Sequence, residues 1–219
     1  MKKMIVKLMT YKDLFFAIVI TLFSCGVLLA QNGQTAADKN KQIELRNAAM
    51  QKAVNDGSAA FAKKDYAVAI DIFQKAYSAD LTHPTVPILF KNIAAVRLQR
   101  GIDTFNAGMK AADDTMMSAS KTDLLAAEEM CKRALILAKT NNYAPDKTTS
   151  IIDVQKQIFQ KISYAFFYIG SQISDNPMLQ KSAAAAKSFL ALAAANDPNR
   201  TDAEQILTEL KSSYNIVPK

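Results

Sequence analysis

The chain holds one histidine, six glycines and two cysteines in 219 residues. The histidine, His83, stands in a Thr-His-Pro turn and is read as a solvated turn residue. Alone, it leaves a His/Cys metal cluster without ligands and a nucleophile without its usual base. Scarce glycine leaves no Gly-rich phosphate loop. No stretch alternates cleanly with period two, so no sheet is expected. Asp113-Asp114 and Glu128-Glu129 are adjacent carboxylates on helical sequence. Neighbours in a helix point to different faces, so neither pair makes a facing acid and base. No catalytic residue, metal site or cofactor is expected.

What is present starts with an address. Lys2, Lys3, Lys7 and Lys12 form a positive segment, and residues 14–30 carry no charge. The polar stretch QNGQTAADKNK follows from Gln31. This layout is that of a secretory signal over residues 1–30, with Ala30 as the small residue before cleavage at Gln31. Leu22-Phe23-Ser24-Cys25 offers an alternative, a bacterial lipobox with Cys25 lipidated, although Phe23 and the apolar Val27-Leu28-Leu29 are atypical. An uncleaved anchor is the third option, at the short limit for spanning a bilayer.

Residues 1–30 hold four Lys and one Asp, so 23 basic and 19 acidic residues remain after cleavage. They are spread along the chain, and no nucleic-acid footprint follows from them. Lys91, Arg97 and Arg100 are read as a solvated, mildly basic face. Cys131 becomes the sole cysteine, which excludes an intramolecular disulfide. Ala127 and Ala134 flank it at helical spacing, so it is expected in the core.

Residues 31–46 are polar and expected to fray. Beyond them helix formers dominate, broken by Thr82-His83-Pro84, residues 141–145, Asp175-Asn176-Pro177 and Asp197-Pro198-Asn199. Helices are expected over 36–63, 66–79, 122–140, 149–173, 177–195 and 201–214. A third, from 85, carries the stripe Leu98, Ile102, Phe105, Met109, Ala112 and Met116 as far as 118. Gly101 permits a break in it without forcing one, so one helix or two remain open. Thr201 and Glu204 have the spacing of a capping box.

Residues 50–83 carry a more specific pattern. Gly57 holds a small position in a first helix and Phe61 lies near its end. Asp65-Tyr66 forms the turn after Lys64, and Ala69, Phe73 and Ala76 alternate small, large and small in a second helix. The stretch resembles a tetratricopeptide repeat, with Lys64 in place of the family's turn glycine. The same alternation recurs as Ala127, Cys131 and Ala134, and as Ala186, Leu190 and Ala193. Phe166, Ile169, Gly170 and Ile173 give a first-helix spacing ahead of the last set. The resemblance is strong over 50–83, moderate over 160–199 and weak over 85–140. The alanine period of about 58 residues departs from the family's ~34.

The resemblance implies an all-α, right-handed α-solenoid of about three antiparallel hairpins over residues 47–215, ending in a capping helix. It implies a binding scaffold whose first helices line a groove. Carried across, the groove presents Gln51, Val54, Asn55, Ser58 and Phe61 in the first unit, and Tyr164, Phe167, Tyr168 and Ser171 in the third. Partner binding is assigned to Asn55, Ser58, Phe61, Tyr164, Phe167 and Tyr168. Val54 and Ser58 stand where some members use Lys and Asn to clamp a carboxylate terminus, so that ligand is not expected. The run at 164–168 is aromatic all round its helix: either the neighbouring long helix covers it, or it forms an exposed anchor for a protein or peptide.

The expected function is a non-catalytic adaptor in the envelope of a double-membrane bacterium, exported to the periplasm or held at the outer membrane. The alternatives are a lipid-anchored subunit of an outer-membrane assembly or uptake complex, and an envelope hydrolase or glycan-binding domain whose site forms only on folding.

Overall fold

The structure, a computed structural model, describes residues 35–217. The signal segment, Cys25, Ala30 and Gln31 lie outside the described residues. Seven helices are described: α1 Ala36–Ala62, α2 Tyr66–Ala79, α3 Val86–Ala111, α4 Asp114–Thr140, α5 Pro145–Ile173, α6 Asn176–Leu192 and α7 Arg200–Tyr214. There is no strand among the described residues. The chain divides after Ala48 into two units. Residues 35–48, the described part of the first, are helical from Ala36 and exposed throughout.

The second unit, from Ala49, packs each helix against its neighbours in sequence. α2 meets α3, α3 meets α4, and so on to α7, while α3 also touches α5 and α5 touches α7. Met50 and Ala60 of α1 share a core with Ala69, Ile70 and Phe73 of α2 and Leu89, Ile93 and Val96 of α3. A larger core joins α3, α4 and α5 through Phe105, Leu124, Cys131, Ile158, Ile162 and Phe166. Leu179 and Ala183 of α6 close on Ile206 and Leu210 of α7. Burial of these apolar stripes is what stabilises helices of this length in water.

Three connections share one design. The turns after α1, α3 and α5 hold Lys64, Ala112 and Ser174, each with left-handed backbone at φ 62°, 52° and 53°. An aspartate follows each time, and its N–H reaches back to a carbonyl of the finished helix: Asp65 to Ala60 at 3.0 Å, Asp113 to Gly108 and Asp175 to Gly170 at 2.9 Å. The last two aspartates also cap the next helix. Asp113 accepts from the N–H groups of Thr115 and Met116, and Asp175 from that of Met178. Orphan carbonyls and orphan amides are thereby satisfied within two residues.

Such short turns press helices together. A Cβ on Gly57 would stand 2.4 Å from the Phe73 ring, and one on Gly108 would stand 2.7 Å from the Met117 amide nitrogen. Small residues are required there by space.

Several expectations are corrected. The stretch 85–118, left open as one helix or two, forms two: α3 stops at Ala111, and 114–118 open α4. Gly101 stays inside α3, buried against Leu124, and the break falls at Ala112–Asp113 because Asp113 competes as a cap. Ala193 lies just past α6, extended, rather than at a helical small position. The three fully buried alanines Ala69, Ala127 and Ala186 sit at different depths below their turns, so the even alanine period does not mark equivalent positions. α7 starts at Arg200 after Asn199, with no side-chain cap. Glu204 pairs at 3.6 Å with Arg200, whose guanidinium also donates to the carbonyls of Leu190 and Ala193, so the Thr201–Glu204 box does not form.

Gly57→Ala is expected to destabilise the fold by about 1–3 kcal/mol, since Phe73 must move. Ala112→Gly relieves left-handed backbone strain and is expected to stabilise by about 0.5–1 kcal/mol. Urea unfolding of both variants measures these changes.

Candidate functional site

Helix α5 packs against α3 and against α7. Phe105 of α3 is buried, and two tyrosines of α5 stand edge-on to it. Their ring centroids are 6.0 Å away for Tyr164 and 5.8 Å for Tyr168. One helical turn apart, the two tyrosines embrace Phe105 by the edge-to-face geometry that aromatic quadrupoles favour. Tyr164 remains 51% exposed. Tyr168 is half-buried in the α3–α4–α5 core, and Phe166 points fully inward. Phe167 turns the other way, half-buried against α6 and α7. The aromatic run thus divides: α3 covers Tyr168, and Tyr164 stays open.

A cleft of ≈ 280 Å³ lies beside it, lined by Tyr164 and Phe167 of α5 and Asp202, Gln205, Ile206 and Glu209 of α7. An adjoining cleft of ≈ 210 Å³ shares Tyr164, Asp202 and Ile206 and continues past Lys161, Ser163 and Asn199. Asp202, Gln205, Ile206 and Glu209 recur at helical spacing on one face of α7. In the sequence only their spacing and, Ile206 apart, their polar character are visible, and nothing there sets α7 against α5.

The first-unit candidates lie apart from this site. Asn55 and Ser58 are exposed on α1, and Gln51 donates to Asn55 at 3.0 Å. Phe61 packs in the α1–α2–α3 core with its ring 6.1 Å from Tyr66. A third cavity, of ≈ 530 Å³, opens between the start of α4 and the end of α5, with Met117, Ile169 and Ile173 in its walls.

Charged residues otherwise serve as ties. Asp103 of α3 accepts from the Tyr66 hydroxyl at 2.5 Å, Gln99 at 2.8 Å and Lys64 at 3.0 Å. The Tyr66 hydrogen bond, helped by Lys64 and Gln99, holds the Asp103 carboxyl below its ordinary range. Burial, with Asp103 beside it, pushes Tyr66 from 10.0 up to about 12. Asp123 of α4 binds Arg100 through both oxygens at 2.5 and 2.6 Å, and Arg97 at 3.2 Å. Arg97 and Arg100 are therefore not the solvated strip expected of them; Asp123 draws both inward. Glu128 is buried between Lys132 and Lys181, which hold its pKa down against desolvation.

His83 is also corrected, being only 5% exposed. Its Nδ1 accepts from the Thr85 amide at 3.1 Å, which satisfies the ring within the turn. Cys131 is fully buried, and desolvation raises its thiol to about 12, far from a reactive thiolate.

Set against known proteins, the chain matches no family model, no curated protein and no solved structure.

The Tyr66–Asp103 tie carries a pH signature. The lowered Asp103 gives stability present above the ordinary carboxylate range and lost as pH falls through its folded value. The raised Tyr66 gives stability present below pH 10.0 and lost as pH rises towards 12. Tyr66→Phe is expected to cost about 1 kcal/mol at neutral pH and to flatten the alkaline decline. Thermal unfolding across pH, variant against parent, checks both effects.

Proposed function

We propose that the unit from Ala49 is a tetratricopeptide-like, right-handed α-solenoid acting as a non-catalytic adaptor. It holds a protein or peptide on the side where α5 packs against α3 and α7. The secretory-signal pattern at residues 1–30 supports a site of action in the envelope of a double-membrane bacterium, with Cys25 as the alternative anchor.

Three features support the solenoid. The turns after α1, α3 and α5 share the left-handed residue and the aspartate. First helices touch one another, α3 with α5 and α5 with α7. Each hairpin sets a small residue of its first helix close to a large one of its second, as Gly57 with Phe73 and Gly170 with Leu179. Stacked hairpins of this kind bury a continuous core and leave the first helices lining a binding surface. The second helices are unequal at 14, 27 and 17 residues, which accounts for the irregular period.

One observation carries the binding role. Tyr164 has a ring held by Phe105 yet open to solvent, at the mouth of the α5–α7 cleft. Rigid, amphipathic aromatics of this kind anchor protein interfaces. Capture of the tagged protein from crosslinked envelopes, followed by mass spectrometry, tests the role. Tyr164→Ala is expected to reduce recovery of a recurrent partner by about tenfold with helicity unchanged. Equal recovery from both proteins contradicts it.

A further inference from the structure

We infer that the α5–α7 cleft is a receptor for a cationic side chain, lysine or arginine, presented with apolar neighbours on a segment of a protein partner. This rests on the adaptor reading above and adds to it the chemistry of what is held.

At ≈ 280 Å³ the cleft falls just below the range of small-molecule sites and suits one long side chain. Its walls are of two kinds. Tyr164, Phe167 and Ile206 offer apolar surface and π faces, and Asp202, Gln205 and Glu209 offer oxygens. A lysine or arginine matches both, with its stem along apolar wall, its charge near aromatic faces and its N–H groups on carboxylates.

The charge state of the cleft sets it apart. Asp103, Asp123, Glu128 and Asp197 tie elements together, and each holds a lysine or arginine of this chain. Asp202 and Glu209 form no ion pair among the described residues. The Asp202 side chain has no hydrogen-bond partner there either, and the Glu209 carboxylate accepts only from the Ser213 hydroxyl, at 2.5 Å. Lys161 lines the adjoining cleft with Asp202 but makes no ion pair with it. Two carboxylates beside an aromatic wall, ion-paired to no cation of this chain among the described residues, complement a basic guest. An acidic guest meets like charge, and a purely apolar one leaves the carboxylates desolvated without compensation.

Panning a random short-peptide display library on the full-length protein tests this without presupposing the partner. Selected peptides are expected to carry lysine or arginine between apolar residues. Their affinity for the variant Asp202→Asn/Glu209→Gln is expected to fall about tenfold and to lose its salt dependence. Both positions are exposed, and circular dichroism verifies that the variant folds. Acidic or uncharged selected peptides, or equal binding to parent and variant, overturn the inference. Tyr164→Ala separates the two readings. If it abolishes selection while the charge variant does not, the docking side stands and its cationic preference falls. If neither variant changes the outcome, both fall. A second copy of this chain as occupant, seen as a dimer by analytical ultracentrifugation that the charge variant abolishes, also overturns the inference.

Discussion

A helix followed by one left-handed residue, with the residue after it at the cap position of the next helix, leaves little slack between the two. That constraint acts at Lys64–Asp65, Ala112–Asp113 and Ser174–Asp175. The aspartate amide closes the finished helix, and at Asp113 and Asp175 the carboxylate opens the new one. Antiparallel packing follows because two residues allow no wider return. Close packing follows from that, and it dictates Gly57 and Gly108 opposite Phe73 and Met117. With each hairpin closed, its remaining apolar stripe needs a neighbour, and the next hairpin supplies it.

Charge then fastens what the turns arrange. Asp103 joins the first turn to α3, Asp123 joins α4 to α3, and Glu128 receives Lys181 from α6. Partly buried ion pairs are not large sources of stability, because desolvation offsets much of the attraction. Their effect is on register, since only one stagger brings each carboxylate to its cations. The same ties consume basic residues that composition would assign to a surface. The α5–α7 cleft is distinguished within this scheme by carboxylates that line it beside aromatic side chains and form no ion pair among the described residues.

Much of this was legible in the sequence where local chemistry decides the outcome. α2 falls on Tyr66–Ala79 as the periodicity requires, and Cys131 is core because alanines bracket it. The aromatic run at 164–168 had to divide between core and surface, and it does. Other features depend on competition at a distance. The apolar stripe from Leu98 to Met116 runs through Ala112, a strong helix former, so nothing apolar marks the break; only the capping capacity of Asp113 does. Glu204 was placed to cap α7, but Arg200 claims it while reaching carbonyls at the end of α6. His83 read as a wet turn residue because its burial depends on packing that no local pattern encodes. Asp202 and Glu209 read as solvated charge, and they acquire meaning only when α5 brings Tyr164 and Phe167 beside them.

The central claim is that the Tyr164 side of the molecule is covered by a partner in its native surroundings. Hydroxyl-radical footprinting of the protein, purified and within intact envelopes, tests it most directly. The account predicts strong labelling of Tyr164 in the purified protein and protection of Tyr164 and Phe167 in envelopes, with the exposed Ile136 of α4 labelled alike in both. Equal labelling of Tyr164 in the two states would contradict it.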